Sequence, residues 1–146
     1  MRASNDRYDD EPCVRLRAVV AFLLVLAACG APGATNTYIG GEGRDTRERL
    51  RNRELGRNLE LRNVRLQRNG ENRLHVQFEL HNKKATRVAF EWSVVWFDPD
   101  GFAINSPSHY NPAILQGREY ESITLTAPTL DASQFKLSTR YPDPVR

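Results

Sequence analysis

Apolar residues recur at every second position along two long segments of this chain, a period that suits a β-strand with one face buried and the other wet. Leu74, Val76, Phe78 and Leu80 alternate with His75, Gln77, Glu79 and His81. Val88, Phe90, Trp92, Val94 and Trp96 repeat the pattern, with Arg87, Glu91 and Ser93 on the other side. Val94-Val95-Trp96-Phe97 is apolar on both faces, which predicts a central or well-covered strand. An earlier strand runs from Leu59 to Leu66. Its apolar set slips one step between Leu61 and Val64, which a bulge at Arg62 and Asn63 would repair.

Turn chemistry separates these segments. Asn69-Gly70 is a hairpin signal, and Asp98-Pro99-Asp100-Gly101 places each residue where a tight turn favours it. Phe102 to Ile104 is expected to be a short returning strand, and residues 105–118, with Pro107, Pro112 and Gly117, a loop. Tyr120–Thr126 and Phe135–Arg140 supply the last strands, with Ala127-Pro128 between them. About six or seven short antiparallel strands of this kind predict an all-β fold, a β-sandwich over residues 58–146.

The N-terminal part obeys other rules. Arg15 and Arg17 precede an apolar run from Ala18 to Leu26, too short to cross a bilayer, which takes ~20 apolar residues. Leu26-Ala27-Ala28-Cys29 resembles the lipobox of bacterial lipoproteins. Residues 1–28 are therefore expected to be a signal peptide, cleaved between Ala28 and Cys29, with Cys29 acylated as the first residue of the mature chain. Lipoproteins held in an inner membrane usually carry Asp after the cysteine, so Gly30 predicts an outer-membrane location facing the periplasm. Asp6, Asp9, Asp10 and Glu11 are unusual ahead of a signal peptide and suggest translation from Val14. Cys13 would leave with the leader and Cys29 would be capped, so no disulfide is expected.

Residues 29–57 read as a tether. Gly, Ala, Pro, Thr and Asn dominate residues 30–43, and a flexible coil of residues 30–57 would reach about 30 Å. From Arg44 to Arg57 charge is dense, and Asp45 with Glu48 predicts a short helix whose only large apolar residues are Leu50 and Leu55. That stretch is either a solvated stalk or a basic surface for anionic headgroups. The formal net charge is +3 and falls wholly on the mature chain, because the leader is balanced.

The residues that could carry catalytic or metal chemistry do not converge. His75 and His81 share a strand face but lie about 20 Å apart at ~3.3 Å per residue, so they cannot share a metal. His109 sits in the long loop. Asp98 and Asp100 lack the further acidic ligands a calcium loop needs, and no serine sits in a nucleophile elbow. No cofactor, metal, small-molecule substrate or nucleic acid is expected, and the chain is not expected to be an enzyme. Trp92 and Trp96 read as core, and Tyr110, on a loop bounded by prolines, as packing against the sandwich rather than as a partner's anchor.

Asn82, the stretch from Trp92 to Gly101, Ala127-Pro128 and Phe135-Lys136-Leu137 together resemble the YcfL family of bacterial lipoproteins, over roughly Leu59 to Arg140. The resemblance implies an immunoglobulin-like β-sandwich on the periplasmic side of the envelope, and it implies no activity, since that family is of unknown function. Members are often encoded beside regulators of cell-wall synthesis. The reading that follows is a membrane-anchored periplasmic lipoprotein, acting as a non-catalytic interaction or accessory module with a periplasmic protein partner. The alternative is direct binding of lipopolysaccharide or peptidoglycan through arginines such as Arg62, Arg65, Arg68 and Arg73.

Overall fold

A computed structural model describes residues 33–105 and 109–143. The predicted leader, Ala28 and Cys29 lie outside those residues. The elements are β1 (Asn36–Gly41), β2 (Arg44–Arg49), α1 (Arg53–Asn58), β3 (Leu59–Arg68), β4 (Leu74–Asn82), β5 (Val88–Phe97), β6 (Asn111–Leu115), β7 (Tyr120–Thr126) and β8 (Gln134–Arg140). They form two antiparallel sheets, of order β2-β1-β8-β5-β6 and β3-β4-β7, closed face to face as a β-sandwich.

The strands set by alternation stand where the pattern placed them. On β4, Leu74, Val76, Phe78 and Leu80 are fully buried, with His75, Gln77 and Glu79 on the wetter face. On β3 the register slips between Arg62 and Arg65, and Asn63 takes φ 51°, so the expected bulge is real and Asn63 absorbs it. The hairpin after β3 differs in detail. Its loop spans residues 69–73, and the Asn69 Oδ1 accepts from the backbone N–H of Glu71 and of Arg73, at 3.1 and 3.0 Å. The left-handed residue is Asn72, at φ 59°, not Gly70.

The core closes on Phe135. Its ring stacks parallel to Phe78 of the opposite sheet, centroids 6.4 Å apart, and Trp96 tilts against it at the same distance. Gly40 of β1 lies behind that ring: a Cβ there would stand 2.7 Å from Phe135 Cε1. Trp92 packs against this cluster while partly buried.

The structure departs from several expectations. The tether does not extend to residue 57. β1 is an interior strand, paired with β2 on one side and with β8 on the other, and β2 with α1 completes that end of the sandwich. β1 has little apolar surface of its own, so the order comes from hydrogen bonds on both edges and from Tyr38, which is 2 % exposed. Asn36, fully buried, adds a two-way link: its Nδ2 donates to the Asn52 carbonyl at 3.0 Å and its Oδ1 accepts from the Asn52 N–H at 2.7 Å. Secondly, Arg44–Arg49 is strand, and the helix begins only at Arg53, capped by Asn52 Oδ1 on the Leu55 N–H, not by Asp45. Leu55 is fully buried.

Thirdly, residues 111–115 of the expected loop form β6. Pro112 is tolerated because β6 is an edge strand, which needs no donor on its outer side. The expected strand at Phe102–Ile104 reduces to a single bridge between Phe97 and Ala103 after the Asp98–Gly101 turn.

The topology is that of an immunoglobulin-type Greek key with one exchange. β3, β4 and β7 occupy the A, B and E positions, and β5, β6 and β8 occupy C, C′ and F. The place beside F, taken in immunoglobulin domains by the strand that follows it, is taken here by β1, which precedes the whole set.

Two outcomes test this packing. Phe135→Ala should cost about 3–5 kcal/mol in urea unfolding, as truncation of a buried aromatic does. Burial pushes the Tyr38 phenol far above its ordinary range, and the neighbouring Glu48 carboxylate adds to the rise. Below about pH 10 folded and unfolded chains both keep the proton; above it only the folded chain does, until its own raised value is reached. The unfolded chain then binds fewer protons and stability falls as pH climbs. Thermal melts between pH 8 and 11 should show a steep alkaline loss that Tyr38→Phe makes shallower.

Candidate functional site

Among the described residues, no three His, Cys, Asp or Glu side chains are grouped to hold a metal ion. His75 Nδ1 lies 2.9 Å from Thr126 Oγ1 across the β4–β7 pair. His81 is mostly covered and stands 3.7 Å from Glu60. Asp98 works as a turn residue, its Oδ1 accepting from the Phe102 N–H at 2.8 Å. Tyr110 is packed: the Arg140 guanidinium lies 4.0 Å from its ring centroid, and Arg140 is held in turn by Glu91 at 2.9 Å.

The four arginines proposed for polymer binding do not form one surface. Arg62 pairs with Glu60 at 2.6 Å. Partial burial of Glu60 works to raise its carboxyl, but the hydrogen bond and charge of Arg62, with Lys83 beyond, outweigh it and hold the carboxyl below its usual range. Arg73 leans on Glu71 at 3.5 Å. Arg68 is structural. Its Nε and Nη2 grip Glu42 at 2.9 and 2.7 Å, Nη1 donates to the carbonyls of Asn72 and Leu130, and Nη2 donates to that of Ala132. Among the described residues only Arg65 of the four stands outside an ion pair.

The open cationic surface lies elsewhere, on the outer face of β2, β1 and β8. Register sets Arg47 beside Ile39, and Ile39 beside Lys136. A second row sets Arg49 beside Thr37, and Thr37 beside Ser138. Arg44, Arg47, Arg49 and Arg51 are all exposed, and Ile39 between them is 42 % exposed. A groove of about 320 Å³ on this face is lined by Arg49, Arg51, Lys136 and Ile39 together with Gly33 to Thr35. A second, of about 300 Å³, adds Arg44 and Arg47, with Asp45 as its acidic member. Lys136 is steered by the Phe97 ring, 5.4 Å from its Nζ.

The opposite edge of the sandwich has a different character. β6 ends one sheet and β7 ends the other, and between them lies a groove of about 530 Å³. Trp92, Ala113, Ile114 and Tyr120 line it, with Glu119 and Glu121 at the rim. Ile114 is 58 % and Tyr120 63 % exposed. The loop beneath is pinned by hydrogen bonds. Asn82, fully buried, donates through Nδ2 to the carbonyls of Thr86 and Gln116 at 2.8 and 2.7 Å, and accepts from the Lys84 N–H at 2.9 Å. Gly117 passes so close to the Ala85 carbonyl that a Cβ would sit 1.9 Å from its oxygen.

A family model described as "Protein of unknown function (DUF1425)" matches residues 46–141, most of the chain. The chain belongs to that family. A crystal structure of a DUF1425 family member from Shewanella sp. PV-4 superposes with a TM-score of 0.52 at 13% identity, covering 77% of this chain and 94% of that one, a likeness of fold alone. A Campylobacter jejuni protein, cj0090, aligns at 17% identity over 56% of this chain and 85% of its own, with a TM-score of 0.47. No curated protein matches.

The DUF1425 match begins inside β2, so β1 and Arg44 lie outside it, while Arg47, Arg49, Arg51 and Lys136 lie within. That face had a sequence signal. Arginine stands at 47 and 49, the two-residue period of a strand face written in charge instead of hydrophobicity, and again at 51 just past the end of β2. The β6–β7 groove had none, since it is made by two edges that only packing brings together. In this DUF1425 domain Arg68→Ala should lower stability by roughly 2–4 kcal/mol, since Glu42 and three carbonyls lose a charged donor, whereas Arg65→Ala should stay within about 0.5 kcal/mol. Urea titration of the two variants side by side measures the contrast.

Proposed function

We propose that this DUF1425 protein is a YcfL-like lipoprotein of a bacterial envelope. Cys29 carries the lipid after cleavage behind Ala28, and the sandwich faces the periplasm from the outer membrane as a non-catalytic accessory module that docks a protein. The address is supported by Leu26-Ala27-Ala28-Cys29 following a short apolar run with arginines before it. The module reading is carried by one observation, the β6–β7 groove. Two free strand edges flank half-buried Trp92 with Ile114 and Tyr120 exposed beside it, a combination of edge hydrogen bonds and apolar anchors that suits an added strand or loop of a partner. The second reading, polymer binding through Arg62, Arg65, Arg68 and Arg73, has less support because three of these are held by Glu60, Glu42 and Glu71.

Two measurements test the two halves. Radiolabelled palmitate should mark the protein in a Gram-negative host, and Cys29→Ser should abolish the mark. A photo-crosslinking residue at position 114 should give a discrete adduct in intact cells, lost on Tyr120→Asp, while the same residue at position 65 gives none. An adduct pattern identical at 114 and 65 would defeat the docking reading and leave the anchor untouched.

A further inference from the structure

We infer that the outer face of β2, β1 and β8 is a membrane-contact surface, laid against anionic phospholipid headgroups by Arg44, Arg47, Arg49, Arg51 and Lys136. The inference rests on the anchor proposed above for its geometry and on the structure for its chemistry.

The first ground is where the chain enters the domain. Gly33, Ala34 and Thr35 line the same groove as Arg49, Arg51 and Lys136, so the polypeptide reaches the fold on the cationic face itself. Only Gly30, Ala31 and Pro32 stand between Cys29 and Gly33. Four residue steps span at most about 14 Å at ~3.3–3.6 Å each. That limit is comparable with the Debye length of about 8–10 Å at physiological salt, so an acylated Cys29 keeps this face within electrostatic range of the headgroups. A tether running to residue 57 would have let the domain stand off and turn freely; the pairing of β1 with β8 removes that freedom.

The second ground is charge complementarity. Arg47, Arg49 and Arg51 enter no ion pair among the described residues, and Arg44 meets only the neutral Gln134 amide, at 3.4 Å. Asp45 lines one of the two grooves of this face and no acidic residue lines the other, while Glu48 stands opposite Tyr38, on the other side of the sheet. Basic residues flanking an exposed Ile39 match an interface of phosphates above acyl chains. The same placement turns β6 and β7, at the far edge, away from the bilayer and toward a partner.

Hydrogen exchange on the full chain tests this. The protein is purified from bacterial membranes and reconstituted in vesicles of pure phosphatidylcholine, or of phosphatidylcholine with one third phosphatidylglycerol. In the anionic vesicles residues 37–51 should exchange roughly 5- to 30-fold more slowly, the factor for lifting one or two arginines off an anionic surface. Residues 111–121 should be unchanged, and high salt should erase the difference. Arg47→Glu with Arg49→Glu should abolish it, and Arg51→Glu, which lies outside any strand, does the same job if the double variant unfolds. Equal exchange in the two vesicle types would overturn the inference. So would protection by added sacculi or lipopolysaccharide with none from anionic vesicles, which would assign the face to a polymer. Palmitate labelling reports the anchor independently: a labelled protein showing no protection defeats this inference alone.

Discussion

The core shared by the two sheets is centred on one ring. Phe135 sits on β8, the strand between β1 and β5, and stacks on Phe78 of the other sheet while Trp96 leans on its side. Its position also dictates the neighbouring strand, because β1 can lie beside β8 only where Gly40 leaves the ring its space. A side chain at 40 would meet the ring and push β1 off, and with it β2 and the whole cationic face. Core packing, strand order and surface charge therefore meet at this ring, which no disulfide backs up among the described residues.

Around that contact the polar interior fixes position rather than adding bulk. Asn36 imitates a strand partner for Asn52, which itself caps α1, so the first strand and the only helix of the described chain are tied by one buried amide. Asn82 does the same at the other end, closing the turn from β4 to β5 over the loop between β6 and β7. Arg68 binds the β1–β2 turn, the β3–β4 loop and the residues before β8 through one guanidinium. Each of these groups would be costly if left unpaired, so each selects one arrangement of loops over its competitors.

The five-stranded sheet consequently has two dissimilar ends. At β2 arginines gather outside the strand ladder, where no core demands apolar residues and charge also discourages edge-to-edge aggregation. At β6 the edge is apolar, short and interrupted by Pro112. The attachment proposed for one end and the docking groove proposed for the other would give a small domain a direction, which a sandwich with uniform edges would lack.

Where burial alternates, the fold could be read directly: β3, β4, β5, β7 and β8, the bulge at Asn63 and the turn at Asp98–Gly101 all follow from side-chain period and turn chemistry, which are local properties. The resemblance had singled out Asn82 without giving it a task; its hydrogen bonds supply one. β1 escaped because its inward residues are Asn36, Tyr38 and Gly40, chosen to fit Phe135 and Asn52 and not to be apolar. β6 escaped because proline argues against a strand until the strand is known to be an edge. The amino-acid sequence by itself determined an all-β sandwich and the hydrophobic set that closes it. Only the tertiary structure decided that an N-terminal segment poor in hydrophobicity completes the sheet, and which arginines are spent on internal pairing and which face outward, because both depend on neighbours far away along the chain.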